Sequence, residues 1–339
     1  MSPTYKEVSE RNNMDDIQNP DKRDAAGEAR ACGITQSLLE HVGAIAESCR
    51  AAAIFVYADA LGVEGLLIGP ELQPKVHYVT KTVDEDEAQK ALGRRVLRVP
   101  DVLLTRVGQV KVALFLALSR GTVNRGDTVV FLSGIAASKS LDTLIVTEIG
   151  REHEMYMSDE ADPDLPEEIR AEVVERLVEI ASELGQEGRE GRHVGVLFVA
   201  GDTEHVLPLT RQLILNPFHG YREEERNILD PAIEETVKEM STLDGAFVIS
   251  GAGVIETCGA YLKTASQQEY DLPRGLGARH QAAAAITAVT DSMAITVSAS
   301  TGTVTVFRRG GIVMEIEKPG AVDPRPRNAF RPGRTASEG

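Results

Sequence analysis

From Thr35 onward the apolar positions follow two rhythms. Leu38, Leu39, Val42, Ile45 and Ala46 recur at helical spacing, and a short apolar run, Ile54–Tyr57, follows them. Further runs at Val76–Thr80, Val96–Val99, Thr128–Leu132 and Leu144–Thr147 read as strands, with helical stretches between them, the clearest being Val107–Leu118. Strands alternating with helices predict a three-layer α/β domain over residues 31–150 with a largely parallel sheet. Residues 1–30 are polar, mixed in charge and without period, which predicts a disordered tail.

A stretch dense in charge and proline, residues 151–170, reads as a linker. Helical spacing resumes at Val173, Val174, Leu177, Ile180, Ala181 and Leu184, with Gly185 as a stop signal. A strand at Val194–Val199 and a helix around Ile233–Met240 come next. Strands at Ala246–Ile249 and Val254–Thr257 are then joined by Gly251-Ala252-Gly253, which reads as a hairpin turn. A helix over Gln281–Val289 precedes strands at Ala294–Val297, Thr303–Phe307 and Ile312–Ile316. The last two are joined through Arg308-Arg309-Gly310-Gly311 as a hairpin. Residues 171–318 thus predict a second, mixed-sheet α/β domain, and the Pro/Arg-rich residues 319–339 a disordered tail.

Composition narrows the function classes. Of 339 residues, 42% are hydrophobic and only 4% aromatic, so the cores are built from aliphatic side chains. No run of about 18 uncharged apolar residues occurs, so no membrane-spanning helix is expected. The N-terminus lacks the apolar core of a signal peptide. Three cysteines (Cys32, Cys49, Cys258) without metal-like spacing fit a reduced, cytoplasmic protein. A net charge of −16 argues against a basic face for nucleic acid and fits either a solvated acidic enzyme or a salt-adapted cytoplasm. No phosphate-loop motif, zinc motif or nucleophile elbow is present.

Three segments carry candidate chemistry. In Leu243-Asp244-Gly245-Ala246 an acid precedes an apolar strand, followed by two residues with almost no side chain. An Asp there can hold a hard cation or accept a hydroxyl proton, although an Asp-Gly turn is also ordinary strand punctuation. Gly275-Leu276-Gly277-Ala278-Arg279-His280-Gln281 leads into a helix, whose free amides and dipole favour an anion. Arg279 adds a planar fork for phosphate oxygens and His280 a donor or metal ligand; the bland reading is a helix cap with an incidental Arg-His pair. Val297-Ser298-Ala299-Ser300-Thr301-Gly302 gathers three hydroxyls at a strand end, suited to phosphate contact or to plain turn chemistry.

In these residues the chain resembles the diadenylate cyclases. That family carries Asp-Gly-Ala, then Gly-Thr-Arg-His-Arg, then Val-Ser-Glu in the same order and at similar spacing. Gly195 to Gly201 and Cys258-Gly259-Ala260-Tyr261-Leu262 strengthen the likeness, which covers roughly residues 171 to 318. Gly121 to Val130, with Ser133-Gly134, resembles the C-terminal domain of pyruvate kinase, an arrangement similar to the archaeal type of diadenylate cyclase. The resemblance implies that two ATP become cyclic di-AMP and two pyrophosphates, with Mg²⁺ or Mn²⁺, between face-to-face domains of a homo-oligomer. It implies catalytic roles for Asp244, Arg279 and His280, with Asp244 and His280 as metal ligands. Gly245 and Ala246 would admit the ribose and phosphates. Gly277, Ala278, Ser298, Ser300 and Thr301 would bind triphosphate, and Tyr261 and Leu262 would line the adenine pocket.

Three positions depart from the family pattern. Ala278 stands where Thr is usual, Gln281 replaces the last Arg, and Ala299 stands where Glu is common. They keep two other functions open. One is a nucleotide-binding sensor without turnover; the other is an oligomerisation protein whose N-terminal domain binds an effector.

Overall fold

The computed structural model describes residues 20–61, 73–81, 95–135, 139–150, 166–263 and 276–317. Among them, twelve strands form two sheets. The first belongs to the N-terminal half. Helix α1 (Pro20–Ser48) leads into β1 (Ala53–Tyr57), β2 (Val76–Thr80) and β3 (Arg95–Arg98). Helix α2 (Arg106–Ser119), β4 (Thr128–Ile135) and β5 (Ser140–Glu148) follow. The strand order is β3-β2-β1-β4-β5, parallel except for the antiparallel β4–β5 pair. Strand β1 is central and buried on both faces, which is why its sequence is an unbroken apolar run. Phe55 of β1 stacks on Phe131 of β4 with ring centroids 5.8 Å apart. Helix α1 takes in the last eleven residues of the expected tail, 20–30, where Ala25, Ala26 and Ala29 favour helix.

In the C-terminal half, α3 (Ala171–Glu187) precedes β6 (Val196–Ala200), α4 (Thr203–Val206) and β7 (Thr210–Gln212). Helix α5 (Glu234–Met240), β8 (Ala246–Ile249) and β9 (Ile255–Leu262) come next, then α6 (Ala278–Val289), β10 (Met293–Val297), β11 (Val304–Arg308) and β12 (Gly311–Ile316). The order is β12-β11-β10-β6-β8-β9-β7. Only β6–β8 is parallel, so the sheet is mixed as the sequence implied. Arg309 and Gly310, both at positive φ, close the β11–β12 hairpin. Helix α3 does not stop at Gly185. It runs to Glu187 and is capped by Gly188 at φ 67°. Gly185 instead lets the helix touch a neighbouring turn, since a Cβ there would run into the carbonyl of Gly302. The short β7, paired with β9, was not foreseen; three residues carry too little alternation to be seen. Most of the expected linker and all of the expected C-terminal tail lie outside the described residues.

The two halves pack against each other. Helix α2 lies on α3 and β12, and one apolar cluster runs through both halves. Polar clasps flank it. Arg120, which caps the C-terminus of α2, forms a two-pronged pair with Glu175 of α3, its Nη2 at 2.8 Å. Arg98 donates to Glu179 at 3.0 Å, and the Leu103 amide to Gln186 Oε1 at 2.7 Å.

Candidate active site

The start of α6 leaves backbone amides open. Its N-cap, Gly277, offers no side chain, and no acidic residue occupies the first turn. The amides of His280 and Gln281 bond back to the Gly277 carbonyl at 3.1 and 3.2 Å. Those of Ala278 and Arg279 keep no acceptor among the described residues. Open amides and the positive helix end together favour negative charge.

Opposite this helix end lies the turn after β10. The Ser298 amide bonds to the Thr303 carbonyl and the Gly302 amide to the Ser298 carbonyl, both at 2.9 Å. Ser298 Oγ lies 3.1 Å from Ser300 Oγ and accepts from the Thr301 amide at 3.3 Å. The turn needs Gly302 at φ 72°, where its backbone meets Gly185 of α3. Helix end and turn enclose a cavity of about 620 Å³. Its lining includes Gly277, Ala278, Arg279, His280, Ser298, Ser300 and Thr301, so seven of the residues expected from sequence converge there.

Asp244 joins them through Arg279. The carboxylate is almost fully exposed and accepts from Arg279 Nη2 at 3.3 Å, across 35 residues of sequence. The guanidinium lies over Gly195, just before β6, where a Cβ would sit 2.8 Å from Nη1. Gly195 is thus a site residue whose role sequence reasoning did not identify. Gly245 holds φ 111° and would place a Cβ 2.6 Å from the Gly259 carbonyl carbon. Its lack of a side chain serves the approach of β8 to β9.

His280 is buried, at 6% exposure, with its ring edge-on to Phe307, and its Nδ1 has no partner. Burial, then the charge of Arg279, pushes its pKa down, so the imidazole is neutral near pH 7. Below α6, Thr296 of β10, Thr305 of β11 and Glu315 of β12 stand side by side in register. Side chains alternate along strands, so the three share the face that α6 covers. Glu315 and Glu317 line the cavity as well, and neither was singled out from sequence.

The remaining expected residues are placed differently. Ala246 and Leu262 are buried in the core shared by α6 and the sheet, away from the cavity wall. Tyr261 faces the opposite way from Leu262, half exposed, with the Arg211 guanidinium 5.5 Å from its ring centroid. Gly275 lies outside the described residues.

A bare helix end, a hydroxyl-rich turn and an Asp–Arg pair on a mixed α/β sheet suit the polyphosphate of a nucleotide. Similarity to known proteins points the same way. A family described as "DisA bacterial checkpoint controller nucleotide-binding" matches residues 183–312. A second, described as "Probable sensor domain DacZ_P", matches residues 35–156. The chain is 39% identical over 177 residues to a diadenylate cyclase of Methanocaldococcus jannaschii, across 52% of this chain and 55% of that one. It is 37% identical over 208 residues to a diadenylate cyclase of Haloferax volcanii, across 59% of this chain and 72% of that one. The chain belongs to the diadenylate cyclase family. The matched stretch spans little more than half of the Methanocaldococcus protein. Among solved structures, DacA of Staphylococcus aureus is similar at 20% identity and a TM-score of 0.29, covering 43% of this chain and 87% of that one. Among the described residues no helix is long and apolar enough to cross a membrane.

Proposed function

We propose that the chain condenses two ATP into cyclic di-AMP and two pyrophosphates. The observation that carries this reading is the Arg279–Asp244 contact at 3.3 Å, which ties an exposed carboxylate to a guanidinium lining the cavity at the start of α6. In each half-reaction the 3′-hydroxyl oxygen of one ATP bonds to the α-phosphorus of the other. The bond from that phosphorus to the bridging oxygen breaks, pyrophosphate leaves, and the hydroxyl proton is lost. One cavity holds one ATP, so a symmetric product requires two copies facing across a twofold axis.

The roles follow from position. The Ala278 and Arg279 amides and the Arg279 guanidinium take phosphate oxygens, with Ser298, Ser300 and Thr301 on the opposite wall. Asp244, exposed and oriented by Arg279, is the acceptor for the hydroxyl proton. Neutral His280 offers nitrogen without adding charge. Asp244 and His280 would hold Mg²⁺ or Mn²⁺, which when bound neutralises phosphate charge. Their oxygen and imidazole donors fit such a cation, and Nδ1 of His280 is buried without a hydrogen-bond partner. Among the described residues no three such side chains converge, so the substrate's phosphates would complete the shell.

Incubation of the full chain with ATP and Mn²⁺ or Mg²⁺, read by mass spectrometry beside Asp244→Asn, tests the reading. Cyclic di-AMP from the parent, lost in the variant, is expected. ATP bound without product under every metal and salt condition would refute it and favour a nucleotide sensor.

A further inference from the structure

We infer that Glu315 is a metal-positioning carboxylate of this site, standing in from β12 for the acid absent at position 299. The inference rests on the proposed use of ATP with a divalent cation.

Ala299 leaves the strand end without the acid that the family pattern carries there. The cavity wall nevertheless holds carboxylates, supplied by Glu315 and Glu317 from the neighbouring hairpin arm. The register fixes where Glu315 points. It pairs across β11 with Thr305, which pairs with Thr296, and this row lies beneath the start of α6. Thr305 Oγ1 donates to Glu315 Oε1 at 3.5 Å, a long bond that orients the carboxyl without neutralising it.

Energetics then ask what faces the charge. Burial is the first cause pushing the Glu315 carboxyl above its usual range, and Glu317 adds to it. Lys111 of α2 opposes this, yet no cation comes within ion-pair distance of Glu315 among the described residues. A half-buried carboxylate without a counter-ion is costly unless something charged arrives. His280, on the same cavity wall, is buried with an unpartnered ring nitrogen. One acid without a counter-ion and one imidazole nitrogen without a hydrogen-bond partner thus belong to residues lining a single cavity, whose other walls carry open amides and hydroxyls. A divalent cation delivered with a triphosphate satisfies both.

The test measures Mn²⁺ binding to the full chain by electron paramagnetic resonance, with a non-reactive ATP analogue present. The parent is compared with Glu315→Gln, Glu315→Asp and the double substitution Ala299→Glu with Glu315→Gln. Gln keeps the shape and the contact with Thr305, and thermal unfolding checks that each variant is folded. The expected result is a tenfold or greater weakening of Mn²⁺ binding in Glu315→Gln, partial recovery in Glu315→Asp, and recovery in the double variant. Unchanged Mn²⁺ affinity in a folded Glu315→Gln overturns the inference, and does so even if the parent makes cyclic di-AMP. If the parent makes no product but Glu315→Gln still loses Mn²⁺, the inference stands and the cyclase reading falls.

Discussion

Gly185→Ala separates two opposite expectations. In an ordinary helix interior, replacing Gly by Ala stabilises by about 1 kcal/mol. Here the added methyl would lie 3.3 Å from the carbonyl carbon of Gly302, closer still to its oxygen, and 3.5 Å from Val304 Cγ2. The obstacle is backbone, and Gly302 itself sits at φ 72°, so the turn has little freedom to retreat. Overpacking of this kind costs about 1–3 kcal/mol. The clash outweighs the propensity gain, and we expect net destabilisation of about 1 kcal/mol, a fall in Tm of roughly 1–2 °C for a chain of this length. Helix α3 would push on the turn that carries Ser298, Ser300 and Thr301, so affinity for an ATP analogue should fall too. Differential scanning calorimetry and titration calorimetry on the same samples provide both numbers. A raised Tm with unchanged nucleotide affinity would refute the reasoning, because the turn would then yield to the methyl without cost.

Two further predictions follow from groups outside the cavity. Burial, then the charge of Arg95, pushes the imidazole of His77 down to about 4, whereas unfolded it titrates near 6.5. The unfolded chain therefore binds more protons between those values, and stability should rise with pH across that window by at most roughly 3 kcal/mol. His77→Phe, which keeps a ring against Phe55, should flatten the pH dependence in urea titrations at pH 5 and pH 7; an unchanged slope would contradict the assignment. Cys258 is buried, and burial pushes its thiol up to about 12, while Cys32 is exposed. Iodoacetamide at pH 7.5 should label Cys32 in the native chain and Cys258 only in denaturant, as peptide mass spectrometry would report; native labelling of Cys258 would show that β9 opens.

The sequence carried the sheets well because their central strands are buried on both faces. Val76–Thr80 and Ala246–Ile249 have the bounds their apolar runs implied. It carried the glycine-led start of α6 for a local reason, since a glycine before a run of helix formers marks a helix beginning. What it missed is non-local. Gly185 looks like a stop in one dimension, but the fold uses it for a contact with a turn more than a hundred residues away. Ala246 and Leu262 sit beside motif residues in the chain, yet the alternation of β8 and β9 turns them into the core. Glu315 gains its position from a register spanning three strands, which no local spacing encodes.

Helix α2 has a consequence for any attempt to cut the chain in two. The seven-stranded sheet ends in β7 on one side and β12 on the other. Strand β7 is three residues long and carries Arg211, so it offers little for another strand to join. Strand β12 is six residues long and rich in apolar side chains, and α2 lies on it. A fragment beginning near residue 166 would bare the apolar surface of α3 and β12 that α2 covers, and such a patch beside an edge strand promotes self-association. Filaments or precipitate from such a fragment would record the loss of a shield. They would say nothing about whether the N-terminal half senses a signal.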